Sequence, residues 1–308
     1  MLIVRTHASA RRAAVASLVL VAGAFLPWSA KAQSGDGAKP PIIDVHIHVF
    51  GKPPLLPEAI QKAETLIQRF GVEKALLSHV PATGDRVMYK FRALAHFTRG
   101  KKHFGFLGGG GSLNPMIHQH DADSPEHKHL LKPFTQMARQ MIKAGASGFG
   151  EVGSLHISLQ PGHKYTYQPA DHPLFRRLAD IAAKSGLPIE FHNDAVLGGM
   201  PVPDFLERAD NPGSFPGTLA GLTRLLEYNP KAKISWAHGG SDPLGNMTPA
   251  LIRDMMDRHA NLYMSLRIGD SRQAKLQNLV WEGDQISGEW LSLLKRHSDR
   301  FFIGTDAM

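Results

Sequence analysis

The chain has 308 residues, which fits one large domain or two small ones and leaves room for a barrel of about 250 residues after processing. Hydrophobic residues make up 43% of the sequence, as in an ordinary soluble globular protein with a sizeable core. There are no cysteines, which excludes disulfides and thiolate metal ligands, so any metal must be held by His, Asp, Glu or a modified Lys. The formal net charge is +8, but four of the 35 Lys and Arg residues lie in residues 1–32, which leaves 31 against 27 acidic residues. This balance gives little support to nucleic-acid binding.

Residues 1–32 have the pattern of an export signal. Arginines precede an apolar run from Ala13 to Leu26, and Ala30-Lys31-Ala32 places small residues at the cleavage positions. The run is shorter than the roughly 20 residues that span a bilayer, so we favour cleavage over a retained membrane anchor. Arg11-Arg12 leaves both the Sec and the twin-arginine route open. We therefore expect a periplasmic or secreted protein without a membrane anchor after processing, with residues 33–41 as a linker.

Residues 42–50 are predicted to form the first β-strand. Apolar residues alternate with Asp44, His46 and His48, the two-residue period of a strand whose faces lie in different environments. His46 and His48 therefore point the same way, close enough to hold one ion. Taken alone, the pair fits ordinary polar positions on an amphipathic strand better than it fits a metal site.

Predicted helices and strands alternate through the rest of the chain. The further strands are predicted at 73–80, 103–107, 148–152, 187–193, 233–237, 261–267 and 301–304, with helices at 58–70, 89–98, 132–143, 174–184, 218–228, 249–259 and 289–296. Eight strands separated by helices predict an α/β protein with a single (β/α)₈ TIM barrel over residues 42–308. An open doubly wound sheet is the alternative, but no Gly-rich phosphate-binding sequence follows the first strand. The sequence stops two residues after Asp306, so we expect a barrel that lacks its last helix and a C-terminally truncated chain.

Residues 114–130 carry four histidines among acidic residues. A metal-buffering or lid segment is one interpretation, and a solvated loop is favoured over it. The histidines are His118, His120, His127 and His129.

Polar residues stand at the ends of five predicted strands. Because the carboxyl ends of barrel strands form the face where barrel enzymes place their chemistry, we expect these side chains to converge. Each alone has an ordinary explanation, such as an ion pair, a backbone hydrogen bond or a helix cap. Their joint occurrence favours a metal site. The residues are His46 and His48 on strand 1, Glu151 on strand 4, His192 on strand 5, His238 on strand 6 and Asp306 on strand 8.

These motifs resemble those of the amidohydrolase superfamily, most closely its amidohydrolase-related branch. Asp44-Val-His46-Ile-His48 resembles the strand-1 motif, Glu-Phe-His192-Asn-Asp the strand-5 histidine, Trp-Ala-His238-Gly-Gly the strand-6 histidine, and Gly-Thr-Asp306 the strand-8 aspartate. Many two-metal members have a carboxylated lysine on strand 4. This chain has Glu151 there, similar to the carboxylate of TatD-like hydrolases. The resemblance therefore implies a metal-dependent barrel enzyme with one or two ions.

The donor types suit zinc first, with manganese, iron or cobalt as alternatives. A bound metal lowers the pKa of its water to about 7. Asp306 is expected to bind the metal and to act as the general base, while His238 either binds a second metal or polarises the scissile carbonyl. Arg267 either holds a substrate carboxylate through two hydrogen bonds or makes a structural salt bridge.

Two arrangements of the ligands remain open. In the first, His46, His48, His192 and Asp306 converge on one metal, and Glu151 orients a ligand. In the second, His46, His48 and Asp306 hold one metal, His192 and His238 hold another, and Glu151 lies between them.

The first functional hypothesis is an exported metal-dependent hydrolase of a C–N or C–O bond in a small molecule, of the amide or lactone type. A non-oxidative decarboxylase of the same branch is the second, although export and the strand-4 carboxylate weigh against it. A TatD-like nuclease is disfavoured by the nearly balanced charge. The non-enzyme alternative is a periplasmic metal-binding protein that uses the His-rich segment. A small-molecule substrate is the expected partner, and a homo-oligomer is compatible with the sequence.

Overall fold

The computed structural model describes residues 41–49, 56–84, 90–207, 209–267, 277–278, 280–282 and 285–307. The expected export signal and all but the last residue of the expected linker lie outside these ranges. Within the described ranges, no helix has the length and apolar character needed to cross a membrane.

Eight parallel strands close into a barrel, which confirms the predicted (β/α)₈ fold. Going round the barrel, the strands follow the order β1-β8-β7-β6-β5-β4-β3-β2, so β8 closes the barrel by pairing with β1. The strands are β1 (Ile42–His48), β2 (Val72–Ser78), β3 (Phe104–Gly109), β4 (Gly148–Gly153), β5 (Ile189–His192), β6 (Ile234–Gly239), β7 (Leu262–Leu266) and β8 (Phe301–Ile303).

Helices in the described ranges separate consecutive strands, close to the predicted positions. Their apolar residues pack against the outside of the barrel in one continuous core, in which the rings of Phe175 and Phe191 lie 4.9 Å apart. The helices are α1 (Leu56–Arg69), α2 (Lys90–Thr98), α3 (Leu113–Ile117), α4 (His127–Lys143), α5 (Pro173–Ser185), α6 (Leu219–Tyr228), α7 (Pro249–Arg258) and α8 (Gly288–Arg296).

The His-rich segment, residues 114–130, is predicted as a solvated loop, but both its ends are helical in the structure. All five residues of α3 are buried, and α4 begins at His127 rather than near residue 132. Proline is favoured in the first turn of a helix and costly further inside it. In the structure Pro133 lies inside α4. Asn114 on α3 donates to Ala82 O at 2.9 Å and accepts from Gly153 N at 2.9 Å, which ties α3 to the end of β4.

Two short β-hairpins follow β4 and β5, at the carboxyl end of the barrel. One pairs Leu155–His156 with Thr166–Tyr167, and the other pairs Met200–Pro201 with Ser214–Phe215. They share a small apolar core of their own, separate from the main one. This position places them beside the strand ends that carry the candidate site. The buried residues of the small core are Leu155, Ile157, Val196, Leu206 and Phe215.

Candidate metal centre

The structure brings all six predicted metal ligands together at the carboxyl end of the barrel. They come from β1, β4, β5, β6 and the segment that follows β8. Five of the residues are between 1% and 8% exposed, and the side chain of Asp306 is 9% exposed. The donor atoms form two adjacent groups, which share Glu151.

The first donor cluster consists of His46, His48, Asp306 and one oxygen of Glu151. The Nε2 atoms of His46 and His48 are 3.2 Å apart. Asp306 Oδ1 lies 3.2 Å from His48 Nε2 and 3.8 Å from His46 Nε2. Glu151 Oε2 lies 3.1 Å from His48 Nε2 and 3.7 Å from His46 Nε2. Two imidazole nitrogens and two carboxylate oxygens therefore surround one small volume.

The second donor cluster consists of His192, His238 and the other oxygen of Glu151. Glu151 Oε1 lies 2.8 Å from His192 Nδ1 and 3.0 Å from His238 Nε2. The two ring nitrogens are 3.0 Å from each other. His192 thus stands with His238 rather than with His46, His48 and Asp306, because β5 lies between β4 and β6 in the barrel. Glu151 thus lies between the two donor clusters, as in the second of the two arrangements, and the number of ions stays a prediction.

The charges of the two clusters are strongly coupled. Burial raises the pKa of Glu151, but His46 and His192 outweigh burial and hold that pKa well below its usual range. Burial lowers the pKa of His192, but Asp194 and Glu151 outweigh it and raise the pKa to about 10. The pKa of Asp306 is also lowered, because His238, His48 and Arg267 outweigh the effect of its burial. Glu151, together with Glu190 at His46 and Asp306 at His48, outweighs burial and raises the pKa of both imidazoles. Carboxylates and imidazoles thus balance each other's charge, and a cation that bound here would displace the imidazole protons.

Two of the candidate ligands have strained backbones. Among the described residues, His238 (φ 64°) and Asp306 (φ 53°) are the non-glycine residues with positive φ. This region costs an L-residue roughly 1–2 kcal/mol, so it persists only where the surrounding structure enforces it. At Asp306 the neighbouring Thr305 supplies that restraint: its Oγ1 donates to Asp44 Oδ2 at 2.6 Å and its N to Asp44 Oδ1 at 3.2 Å.

Arg267 lies at the edge of the first donor cluster. Its Nη2 is 3.0 Å from Asp306 Oδ2, and its side chain is 13% exposed. Of the two expected roles of Arg267, the structure shows the salt bridge, and its partner is Asp306. Contact with a substrate carboxylate stays a prediction.

Two carboxylates that the sequence analysis did not single out also contact the imidazoles. Glu190 Oε1 lies 3.0 Å from His46 Nδ1, and Asp194 Oδ2 lies 3.5 Å from His192 Nε2. Both are two residues from His192 in sequence, so the two-residue period of a strand could have placed them on its face.

The His-rich segment does not form a comparable cluster. Within the described ranges, the groups of three or more close His, Asp or Glu donors lie at the strand ends, and none includes a residue of the segment 114–130. His118 Nε2 contacts Gly153 O at 2.8 Å. His120 Nδ1 lies 2.9 Å from Glu126 Oε2. These contacts are those of structural residues and do not support the metal-buffering interpretation.

No protein-family profile and no curated protein matches the sequence. Solved structures of decarboxylases do match. A 2,6-dihydroxybenzoate decarboxylase complexed with 2,6-dihydroxybenzoate has a TM-score of 0.52 at 14% identity, covering 87% of this chain and 89% of that one. A dihydroxybenzoic acid decarboxylase from Polaromonas sp. JS666, with bound manganese and the inhibitor 2-nitroresorcinol, has a TM-score of 0.50 at 14% identity, covering 87% and 86%. A 2,6-dihydroxybenzoate decarboxylase from Rhizobium has a TM-score of 0.50 at 14% identity, covering 87% of this chain and 88% of that one. At this identity the likeness shows the fold alone, and it agrees with the predicted barrel.

Proposed function

We propose that this chain, which shares the fold of the amidohydrolase superfamily, is a metal-dependent hydrolase of a C–N or C–O bond in a small molecule. The observation that carries the proposal is the orientation of Glu151. One carboxylate oxygen faces His46 and His48 at 3.7 and 3.1 Å, and the other faces His192 and His238 at 2.8 and 3.0 Å. A carboxylate in this position can bridge two cations, the arrangement that activates water in two-metal hydrolases.

The donor set fits divalent cations. Neutral imidazoles and carboxylates suit zinc, and also manganese, iron or cobalt. The first donor cluster would hold one ion and the second donor cluster another. When bound, such ions lower the pKa of water to about 7 and polarise a carbonyl oxygen. The burial of Glu151 and Asp306 supports this assignment, because buried carboxylates are costly unless a cation or another partner balances their charge.

The chain's own residues supply the remaining functions. Asp306 has one oxygen toward His48 and the other toward Arg267, and it is the candidate proton acceptor and donor. His238 is the group that either completes the second donor cluster or polarises the scissile carbonyl. Arg267 is the candidate anchor for a substrate carboxylate, which would compete with Asp306 for its guanidinium group.

Export is part of the proposal. The charged start, the short apolar run and the Ala-Lys-Ala sequence support removal of residues 1–32 and a periplasmic or secreted location. N-terminal sequencing of the mature protein tests this directly. A start near Gln33 is expected, and an intact Met1 in a membrane fraction would contradict it.

A non-oxidative decarboxylase is the second candidate. The structures with TM-scores of 0.50 or higher described above are decarboxylases of dihydroxybenzoic acids, and one of them contains manganese. At 14% identity, these matches establish the fold and do not establish the reaction. We favour hydrolysis because a carboxylate shared by two donor clusters suits a pair of ions that activates water, and decarboxylation activates no water.

The test is a substrate panel with the signal-free protein. The protein is loaded separately with zinc and manganese and assayed against amides, lactones and dihydroxybenzoates. Hydrolysis of an amide or lactone that stops on metal removal is expected. Release of CO₂ without hydrolysis would establish the second candidate. Bound metal without any turnover would favour a metal-binding protein.

A further inference from the structure

Glu190 lies inside the barrel, one strand repeat further from the carboxyl end than His192. Its side chain is 5% exposed. Oε1 of Glu190 accepts a hydrogen bond from His46 Nδ1 at 3.0 Å, and the Ser265 hydroxyl of β7 donates to the same oxygen. Barrel interiors are usually filled by branched apolar side chains, and a buried carboxylate is costly unless it is paired. The position of Glu190 is therefore explained by its contact with His46.

Two glycines make room for this contact. A Cβ atom on Gly150 would lie 2.7 Å from the Cβ of Glu190. A Cβ atom on Gly304 would lie 3.0 Å from the Cβ of His46 and 2.9 Å from that of Ser265. Real Cβ atoms are rarely this close to other carbons, so any larger residue would push these side chains apart. The packing thus holds Glu190, His46 and Ser265 in one arrangement.

The contact determines which nitrogen of His46 carries hydrogen. A carboxylate can only accept, so His46 donates through Nδ1. In the neutral ring Nε2 is then the nitrogen with a lone pair, and Nε2 is the atom that faces the first donor cluster, 3.2 Å from His48 Nε2. Ser265, as a second donor, keeps the Glu190 oxygen in line with His46.

We propose that Glu190 is a positioning residue that fixes His46 in the tautomer whose Nε2 binds a cation in the first donor cluster. The inference rests on the proposed metal centre. Glu190 itself faces His46 Nδ1, on the side of the ring away from that centre. Carboxylates that accept from a metal-binding histidine typically change metal affinity 10- to 100-fold when they are removed.

The test compares zinc affinity in the parent, Glu190→Gln and Glu190→Leu, measured by competition with a chelator. The Gln variant keeps an acceptor oxygen, so we expect about a 10-fold loss, and for Leu, which keeps none, a loss nearer 100-fold. Asp171→Asn is the matched control, because Asp171 pairs with Arg176 and Arg224 on the outer helices. Its zinc affinity should equal that of the parent.

The second readout is the ¹⁵N spectrum of the His46 ring. The zinc-loaded parent should show hydrogen on Nδ1, and the Leu variant a mixed or altered state. Parent-like zinc affinity and an unchanged His46 spectrum in either variant would overturn the proposal. If the Leu variant does not fold, the Gln variant and Ser265→Ala carry the same comparison. If the parent binds no zinc, the proposed function fails, whereas a changed His46 spectrum in metal-free Glu190→Gln would still support the contact.

Discussion

Three residues of this centre each contact two different groups, and these paired contacts indicate what each residue does. Glu151 faces both donor clusters, His46 lies between Glu190 and the first donor cluster, and Asp306 lies between His48 and Arg267. The sequence could place these residues at strand ends, because the two-residue period and the alternation of helices and strands fix that much. It could not show the partner of each atom, since that depends on how strands distant in sequence are aligned in the barrel.

Replacement of Arg267 tests its role toward substrate. In Arg267→Met, a carboxylate-bearing substrate should lose a charge-assisted contact, so its KM should rise about 10- to 100-fold while that of a neutral analogue changes little. Steady-state kinetics on matched charged and neutral substrates measure the difference. Arg258→Met is the control, because Arg258 pairs with Asp254 on the exposed face of α7. Equal effects on both substrates would assign Arg267 to a structural salt bridge with Asp306.

At the scale of elements, the ends of strands and helices are fixed by side chains that replace missing backbone partners. His172 is the N-cap of α5: its Nδ1 accepts from Leu174 N at 3.1 Å, and its Nε2 contacts His120 O at 3.3 Å. Asp44 joins β1 to the segment after β8 in a similar way. The sequence predicted α5 within one residue at each end, but α4 extended beyond its prediction. There the helix begins at His127, five residues before the predicted start, and continues through Pro133.

The His172 cap predicts a dependence of stability on pH. Burial lowers the pKa of His172 to about 4, so the folded state favours the neutral ring that can accept at Nδ1. Because the folded pKa lies below the unfolded one of about 6.5, this contribution is complete above pH 6.5 and is lost as the pH falls toward 4. Asn also caps helices but does not titrate. Between pH 7 and 4.5 the unfolding free energy of the parent should therefore fall about 2–3 kcal/mol more than that of His172→Asn.

Urea unfolding at several pH values measures this difference. Other histidines titrate in both proteins, so the difference between parent and variant isolates His172. Parallel stability curves for the two proteins would show that protonation does not disturb the cap.

At the largest scale, the described ranges from residue 41 onward form a closed barrel whose interior is polar at one end, where buried carboxylates and imidazoles replace apolar packing. The fold could be predicted because eight periodic strands with helices between them leave few alternatives. The small core of the two hairpins after β4 and β5 could not, since short strands in long loops carry little periodicity. The buried helix α3 could not be predicted for a similar reason, because five residues are too few to show a helical pattern.

Metal should stabilise the whole barrel, since it binds donors from five strand ends that come together only in the folded chain. Zinc at about 100 times its Kd should add about 2.7 kcal/mol, and EDTA should remove it. For a chain of this size, this amounts to a Tm shift of roughly 4–5 °C. His48→Ala should lose most of the shift. His129→Ala, in the His-rich segment, should keep it, and the opposite pattern would move the metal site to that segment.

The number of ions per chain in the parent and in Glu151→Gln tests the central claim most directly. An amide has one oxygen and an NH₂ group that cannot bind a cation, so the Gln side chain cannot serve both donor clusters. After loading with zinc and removal of excess metal, we predict about two ions per chain in the parent and about one or fewer in the variant. About one ion in both proteins would contradict the shared role of Glu151 and leave it as a support for a single-metal site.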